Sequence, residues 1–353
     1  MAQASSDDKA PDARPLALSV CVIAYNSGPT LGACLERLEA QTFRDFEALV
    51  IDNASPDPGD AAIAASFPFV RLIRNDKNLG FTGAGNQAAR LARGRWLVLL
   101  NPDAYAEPTW LAELVAAAER NPHVRAFTSR QMVEGQPGVL DGLGDVMSIT
   151  GIPYRGGYLN RDEGQAREGE VFSPCGAAMM IDRALFQAVG GFDEALFCYC
   201  EDVDLGYRLQ LAGEPTLLVP EAVVQHVGSA STGGRKSEFA VFHGTRNRFW
   251  VLFKNTPWPL LPLVLPLHLL ALALIYLRRE NRPHIRLILR AAGAAFAGAG
   301  PILRARSAIQ QRRTASVWQI ARAMTWNPRD LASRRAVIRP IRPPPPPTRS
   351  TAA

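Results

Sequence analysis

Leu97-Val98-Leu99-Leu100-Asn101-Pro102-Asp103-Ala104 runs four apolar residues into a polar turn that carries one carboxylate. A buried strand that stops there sets Asp103 at the strand's carboxyl end. In open α/β sheets that rim is where ligands bind. An aspartate on the rim can hold a divalent cation, and the cation can hold a diphosphate. The plainer reading is a strand-to-helix turn, with Pro102 fixing the bend and Asp103 bonding nearby backbone. The rest of the chain decides between them.

Outward from this stretch, strand and helix patterns alternate. Leu18 to Ile23, Phe46 to Ile51, Val70 to Ile73 and Trp96 to Leu100 read as strands. Between them, Leu31, Cys34, Leu35 and Leu38 mark one helical face, and Ala84, Ala88, Leu91 and Ala92 another. This alternation predicts an α/β fold, Rossmann-like, with a mostly parallel sheet covered by helices on both faces. From Gly135 to Gly169 glycines crowd the chain and no helical period survives, so hairpins and a mobile, acceptor-facing loop are expected. Order returns with a strand over Gly176 to Ile181, a helix near Arg183 to Val189, and a helix over Glu201 to Leu211. Two short strands follow, Thr216 to Val219 and Ala222 to Gln225.

The 353 residues carry a net charge of +6, unevenly spread. Arg278 to Ala353 holds +14, and the body before it holds −8. An acidic body with a basic tail predicts that the tail meets an anionic surface. Little aromatic interleaving accompanies these arginines, so no nucleic-acid partner is expected. Five cysteines without a C-x-x-C spacing read as reduced thiols. The polar N-terminus, residues 1–17, lacks a signal peptide's apolar core and reads as disordered, which places the protein in the cytoplasm.

Pro259 to Leu277 is 19 residues without a charge, followed by Arg278, Arg279 and Arg282 and a second apolar stretch, Ala291 to Leu303. Basic residues flank the first stretch on both sides, and three prolines interrupt it, so a clean crossing is disfavoured. We expect a segment that lies in, or re-enters, the cytoplasmic face of the membrane. The division is therefore a disordered segment 1–17, a catalytic domain 18–256, a membrane-associating region 257–310 and a basic, Pro-rich tail 311–353 containing Pro343 to Pro347. Cutting after Asn255 is expected to leave a soluble, nucleotide-binding domain.

Four polar segments fall at the carboxyl ends of successive strands: Ala24 to Ser27, Asp52 to Ser55, Asn75 to Gly80 and Asn101 to Ala104. They offer Tyr25, Asn26, Asp52, Asn53, Asn78, Asn101 and nearby Asn86 as short or polar groups for a nucleotide. Asp52 can accept from a base N–H, and Gly80 lets the backbone approach a phosphate closely. Each of these also works as a cap or turn residue.

In order along the chain, these segments resemble the inverting glycosyltransferases of family two, which have the GT-A fold. The matching text is Ser19 to Asn26, Val50 to Ser55, Asn78-Leu79-Gly80-Phe81 with Asn86, Leu100 to Ala104, Cys175 to Met180, Gly190 to Glu194, Glu201 to Leu205 and His226 to Ser229. The resemblance spans about Leu18 to Asn255 and is similar to the branch that contains the bacterial rhamnosyltransferases. Asn101-Pro102-Asp103 departs from a full D-x-D in its first residue. The resemblance implies that Asp103 ligates Mg²⁺ or Mn²⁺ and that His226 adds a ligand or touches phosphate. Asp52 would read a pyrimidine base, and Asp202 would be the general base.

The chemistry supports a single base. One displacement at the anomeric carbon needs one carboxylate to take the acceptor's proton. Glu201, Asp202 and Asp204 open a helix, where acids also gain from the dipole. Asp202 is the first choice, Glu201 the second, and Asp204 is assigned with Arg246 and Arg248 to the acceptor or its lipid-linked diphosphate. The expected activity is transfer of a sugar, foremost L-rhamnose from dTDP-rhamnose, to a lipid-linked or polysaccharide acceptor of the cell envelope. The alternatives are a UDP-hexose enzyme of the same fold and a catalytically silent sugar-binding or membrane scaffold.

Overall fold

A computed structural model describes residues 16–164, 166–228, 237–277 and 283–343. The expectations for residues 1–15, for Arg278, Arg279 and Arg282, and for Pro344 to Pro347 lie outside the described residues.

The first half alternates as its pattern predicts: β1 (Leu18–Ala24), α1 (Pro29–Glu39), β2 (Phe46–Asp52), α2 (Gly59–Ala65), β3 (Val70–Arg74), α3 (Gly80–Leu91) and β4 (Trp96–Leu100). A short β5 (Ala104–Ala106), α4 (Trp110–Arg120) and β6 (Ala126–Val133) follow. β1 pairs in parallel with both β2 and β4, and β2 with β3. Side chains alternate across the sheet as strand geometry requires. Val20 and Val22 enter the core beneath α1 and α4, while Cys21 and Ile23 enter the core shared with α3.

The glycine-rich stretch folds into β7 (Leu140–Gly142), β8 (Asp145–Met147) and β9 (Pro153–Arg155), then β10 (Gly169–Val171). The expected hairpins are present, as β8 pairs antiparallel with β9 and β7 with β6. The expected looseness is not: Leu140, Val146, Met147 and Ile152 are buried. Their burial replaces the missing helical period as the source of order.

β11 (Ala178–Asp182) inserts antiparallel between β4 and β6, and α5 (Arg183–Ala188) and α6 (Glu201–Leu211) follow it. The two short strands expected next are one strand, β12 (Thr216–His226), with a register shift between Val219 and Val223 where Pro220 interrupts the ladder. β12 runs parallel to β6, so the sheet is mixed but mostly parallel.

α7 (Glu238–Asn255), α8 (Leu261–Tyr276), α9 (Ile285–Ala297), α10 (Ala299–Gln311), α11 (Val317–Ala323) and α12 (Pro328–Ser333) complete the chain. They do not stand apart. One core joins Met147, Phe172 and Tyr207 to Trp250, Val264, Ile302, Ile320 and Met324, and it crosses residue 256. The stretch expected as a basic tail packs back as far as Arg342, whose backbone N–H and guanidinium both bond Glu170 of β10. Backbone bonds tie Arg339 to Glu170, and Thr325 to Met147 and Ile149. Apolar Ile320, Met324, Ile338 and Ile341 drive this return.

Among the described residues one helix, Trp258–Tyr276, is long and apolar enough to cross a membrane, with mean hydropathy 2.1. Only a stripe of it is covered: Leu261, Val264, His268 and Leu272 are buried, while Leu263, Leu269, Leu270 and Leu274 are 44–63% exposed. The second apolar stretch bends by 59° between α9 and α10, at Gly298.

Candidate active site

The carboxyl ends of β1 to β4 converge on one rim, because parallel strands all end on the same side. Asn53 is the hub. Its Nδ2 donates to Asn78 Oδ1 at 2.9 Å and to Gly80 O at 3.1 Å, and its Oδ1 accepts from Leu79 N and Asn75 Nδ2. Gly80 has φ 71°, and a Cβ there would sit 2.4 Å from Phe197 O, so the loop requires glycine.

A cavity of about 670 Å³ opens above this rim. Tyr25, Asn53, Asn78, Gly80, Asn101 and Asp103 line one side of it. His226, Glu201, Asp202 and Arg248 line it too. Sheet register explains one pairing: β5 lies antiparallel to β12 with Ala104 opposite His226, which sets Asp103 beside the imidazole. His226 Nε2 stands 3.3 Å from Asp103 Oδ1. Both side chains are buried, and Nε2 makes no hydrogen bond among the described residues. Burial disfavours a charged ring, but Asp103 and Asp141 raise the imidazole's proton affinity above the usual range. A divalent cation between Nε2 and Asp103 would take that proton's place, so these residues fit the expected Mg²⁺ or Mn²⁺.

Opposite stands an acidic group. Asp202 begins α6, where its Oδ1 accepts from Val203 N at 2.8 Å and its Oδ2 from Gly176 N at 3.0 Å. Glu201 beside it is 8% exposed, and its Oε2 has no hydrogen-bond partner among the described residues. Burial and the neighbouring Asp202 charge push the Glu201 carboxyl up to about 8. The direction of that shift makes Glu201 the carboxyl that more readily keeps its proton beside the Asp202 charge. Phe197, Tyr199 and Cys200, just before the helix, have φ of 64–71°, and such left-handed strain clusters at functional sites.

Several expected residues lie elsewhere. Asp204 is fully buried, ion-paired to Lys254 at 2.8 Å and to Arg208 at 2.9 Å, and accepts from Asn255. Burial alone would raise its carboxyl, but Lys254 and Arg208 hold it below the usual range. It is a structural ion, not an acceptor contact. Arg246 stacks over Trp250 and donates to the Ala195 and Leu196 carbonyls, so it braces the turn before α6 instead of facing the cavity. Asn86 exchanges hydrogen bonds with the backbone of Phe192, which ties α3 to that turn. Asp52 caps its own loop through Ser55 N and meets Arg74 at 3.3 Å, behind the cavity wall. Asn26 sits at φ 51° with its N–H donating to Ser55, outside the lining. Short polar residues at strand ends serve turns as readily as ligands, and here Asp52 and Asn26 both bond Ser55 while Asn86 bonds Phe192.

Asp141, Asp145 and Arg155 are absent from the sequence-based site. Asp145 and Arg155 line the cavity, and Asp141 lies behind His226. The Asp145, Cys175 and Asp202 ligand atoms all lie within 4.8 Å of one another. Burial and the Asp202 charge hold Asp145 well above the usual carboxylate range, and burial pushes the Cys175 thiol up to about 12. A thiol is a soft ligand that suits a hard cation such as Mg²⁺ poorly, so the oxygen and imidazole donors of Asp103 and His226 fit it better. A signal was available: between Val139 and Arg155 these three residues carry the only charges in an otherwise apolar and glycine-rich run.

The comparisons with known proteins agree with this geometry. The family model for glycosyl transferase family 2 matches residues 19–190. An N-acetylglucosaminyl-diphospho-decaprenol L-rhamnosyltransferase of Mycobacterium tuberculosis is 29% identical over 308 residues, which covers 77% of this chain and 97% of the relative. Among solved structures, GalNAc-T7 with UDP, GalNAc and Mn²⁺ aligns with TM-score 0.54 at 20% identity, over 69% of this chain and 48% of that one. A mannosyltransferase of Pyrobaculum calidifontis with GDP-mannose and Mn²⁺ aligns with TM-score 0.50 at 20% identity, over 89% and 86%. With its sheet, rim and acidic helix start in that arrangement, the chain carries the GT-A fold, and residues 19–190 form a glycosyl transferase family 2 domain.

Proposed function

We propose that this glycosyltransferase moves L-rhamnose from dTDP-rhamnose, with inversion, onto a lipid-linked saccharide diphosphate of the cell envelope. The observation that carries the reading is one cavity with the Asp103–His226 pair at the strand rim and Asp202 across from it. The Mycobacterium relative, matched over nearly its whole length, supports the donor sugar and the lipid-linked acceptor.

In this reading Asn53, Asn78 and the Gly80 backbone hold the nucleotide, and Asp103 and His226 hold the cation. A divalent cation bound there would supply charge neutralisation for the departing diphosphate. The acceptor hydroxyl oxygen forms a bond to the anomeric carbon, the bond from that carbon to the diphosphate oxygen breaks, and the hydroxyl proton passes to an Asp202 oxygen. Gly176 N–H, already bonded to Asp202, fixes the carboxylate's orientation. Arg248 lines the acceptor side, where its guanidinium suits an anionic headgroup, and its Nη1 donates to Tyr276 of α8 at 3.2 Å.

α8 to α10 would lie along an anionic membrane surface at the cytoplasmic face. Exposed Leu269, Leu274, Leu289 and Phe296 support this, with Arg286, Arg290 and Arg304 exposed among them. One face of α8 is held by the protein itself, since His268 Nδ1 donates to Thr150 O at 2.9 Å. That favours lying in the interface over a free crossing. The test is transfer to a synthetic N-acetylglucosaminyl-diphospho-prenol across a panel of nucleotide sugars. Turnover with dTDP-rhamnose is expected. Turnover with a UDP-hexose alone would refute the donor, and no turnover with any donor would refute the acceptor.

A further inference from the structure

His226 has two ring nitrogens, and the structure accounts for each differently. Nε2 faces Asp103. Nδ1 lies 2.7 Å from Asp141 Oδ2, a buried carboxylate that no part of the functional reading uses. Asp141 is in turn ion-paired to Arg155 of β9. Two registers build this stack. β6 pairs with β12 so that Val133 lies opposite His226, and β7 folds back on β6 with Leu140 opposite Met132. The hairpin β8–β9 then brings Arg155 over the same carboxylate.

A neutral imidazole carries one proton. With a carboxylate at Nδ1, that proton sits on Nδ1 and the Nε2 lone pair points away from it, toward Asp103. Without Asp141 only the Asp103 carboxylate at Nε2 would remain beside the ring, and it would favour the opposite tautomer. Asp141 is itself held by Arg155, whose guanidinium bonds the same Oδ2 and so fixes where that oxygen meets the ring.

We propose that Asp141 is a positioning residue for the cation site, fixing the tautomer and orientation of His226, with Arg155 holding the Asp141 carboxylate in place. This rests on the reading of Asp103 and His226 as cation ligands. It extends the site to a hairpin that the nucleotide-binding rim does not include.

The experiment titrates Mn²⁺ alone into the full-length protein and follows free Mn²⁺ by electron paramagnetic resonance. Wild type is compared with Asp141→Asn and Asp103→Asn, each checked for folding by circular dichroism. Loss of such an outer partner weakens metal binding by about 10–100-fold. Asp141→Asn is expected in that range and Asp103→Asn at or beyond its upper end. Full affinity in Asp141→Asn with loss in Asp103→Asn overturns the positioning role and leaves the cation ligands standing. Full affinity in both overturns the two together. Should Asp141→Asn not fold, the ring nitrogens of ¹⁵N-histidine-labelled wild type, without metal at pH 8.5, give the answer. A His226 signal with its proton on Nδ1 supports the proposal, and one with its proton on Nε2 overturns it.

Discussion

Ending the chain after Thr256 tests whether the catalytic half stands alone. The cut removes α8 to α12 and with them one side of a shared core. Leu211, Met147, Ile152, Phe249, Trp250 and Leu252 remain in the shortened chain, and each is now at most 9% exposed. Phe249 loses its ring contacts with His268 and Phe296, and Trp250 loses Ala295 O as the acceptor for its indole N–H. Fully burying a large apolar side chain contributes about 1.5–3 kcal/mol. If each of the six loses half its burial, the shortened chain loses roughly 5–9 kcal/mol. A whole domain is stable by only about 5–15 kcal/mol. The shortened protein should therefore aggregate or form an expanded state that binds anilinonaphthalene sulfonate and melts without cooperativity. Size-exclusion chromatography and thermal circular dichroism read this directly. A monomeric product with a sharp melt and wild-type affinity for dTDP would refute the reasoning and restore the independent domain expected from the sequence.

Asp202→Asn keeps the side chain's shape and removes its basicity, so transfer should fall by about 10²–10⁴-fold while calorimetry finds dTDP affinity little changed. Near-normal transfer would exclude Asp202 as the base. Glu201→Gln should keep most activity and change the pH dependence of stability. In the unfolded chain Glu201 ionises near 4.5, but in the fold it holds its proton to about 8, so the native state binds the extra proton between those values. Wild-type stability should fall as pH rises through that window, and Glu201→Gln should remove that part of the slope in urea titrations at pH 5 and pH 8. Parallel curves would contradict the raised value. Gly80→Ala puts a Cβ 2.4 Å from Phe197 O at φ 71°, and strain of about 1–3 kcal/mol should lower both the melting temperature and dTDP affinity. An unchanged melt would show that the loop tolerates a side chain. Excess chelator should abolish transfer, and Mg²⁺ or Mn²⁺ should restore it. Full activity in chelator would remove the cation from the mechanism.

The chain's local chemistry was enough for the alternating half. β1 to β4, their helices and the polar rim are legible because burial on both faces demands continuous apolar strands and short polar ends. Asp103, Asn53, Asn78 and Gly80, picked out by their place at those ends, and Asp202, picked out by three acids at a helix start, line one cavity. The same rule overreached at Asp204, which is fully buried against Lys254, while Asp52 and Asn86 bond Ser55 and Phe192 outside the cavity lining. Nothing in a one-dimensional pattern tells which partner reaches a carboxylate first.

What the sequence by itself determined, then, is everything that repeats with a strand or helix period: the α/β class, the rim, the acidic helix start and the apolar C-terminal helices. Only the tertiary structure decided what depends on contacts between distant segments. Asp141 reaches His226 across 85 residues of chain because β7 folds back on β6, and the β8–β9 hairpin sets Arg155 against Asp141. The basic C-terminal stretch returns to pair Arg342 with Glu170 as apolar Ile320, Met324 and Ile338 pack into the cores, while the Arg342 guanidinium stays partly in water. Such long-range pairings are set by register and by competition for partners, neither of which leaves a period in the sequence.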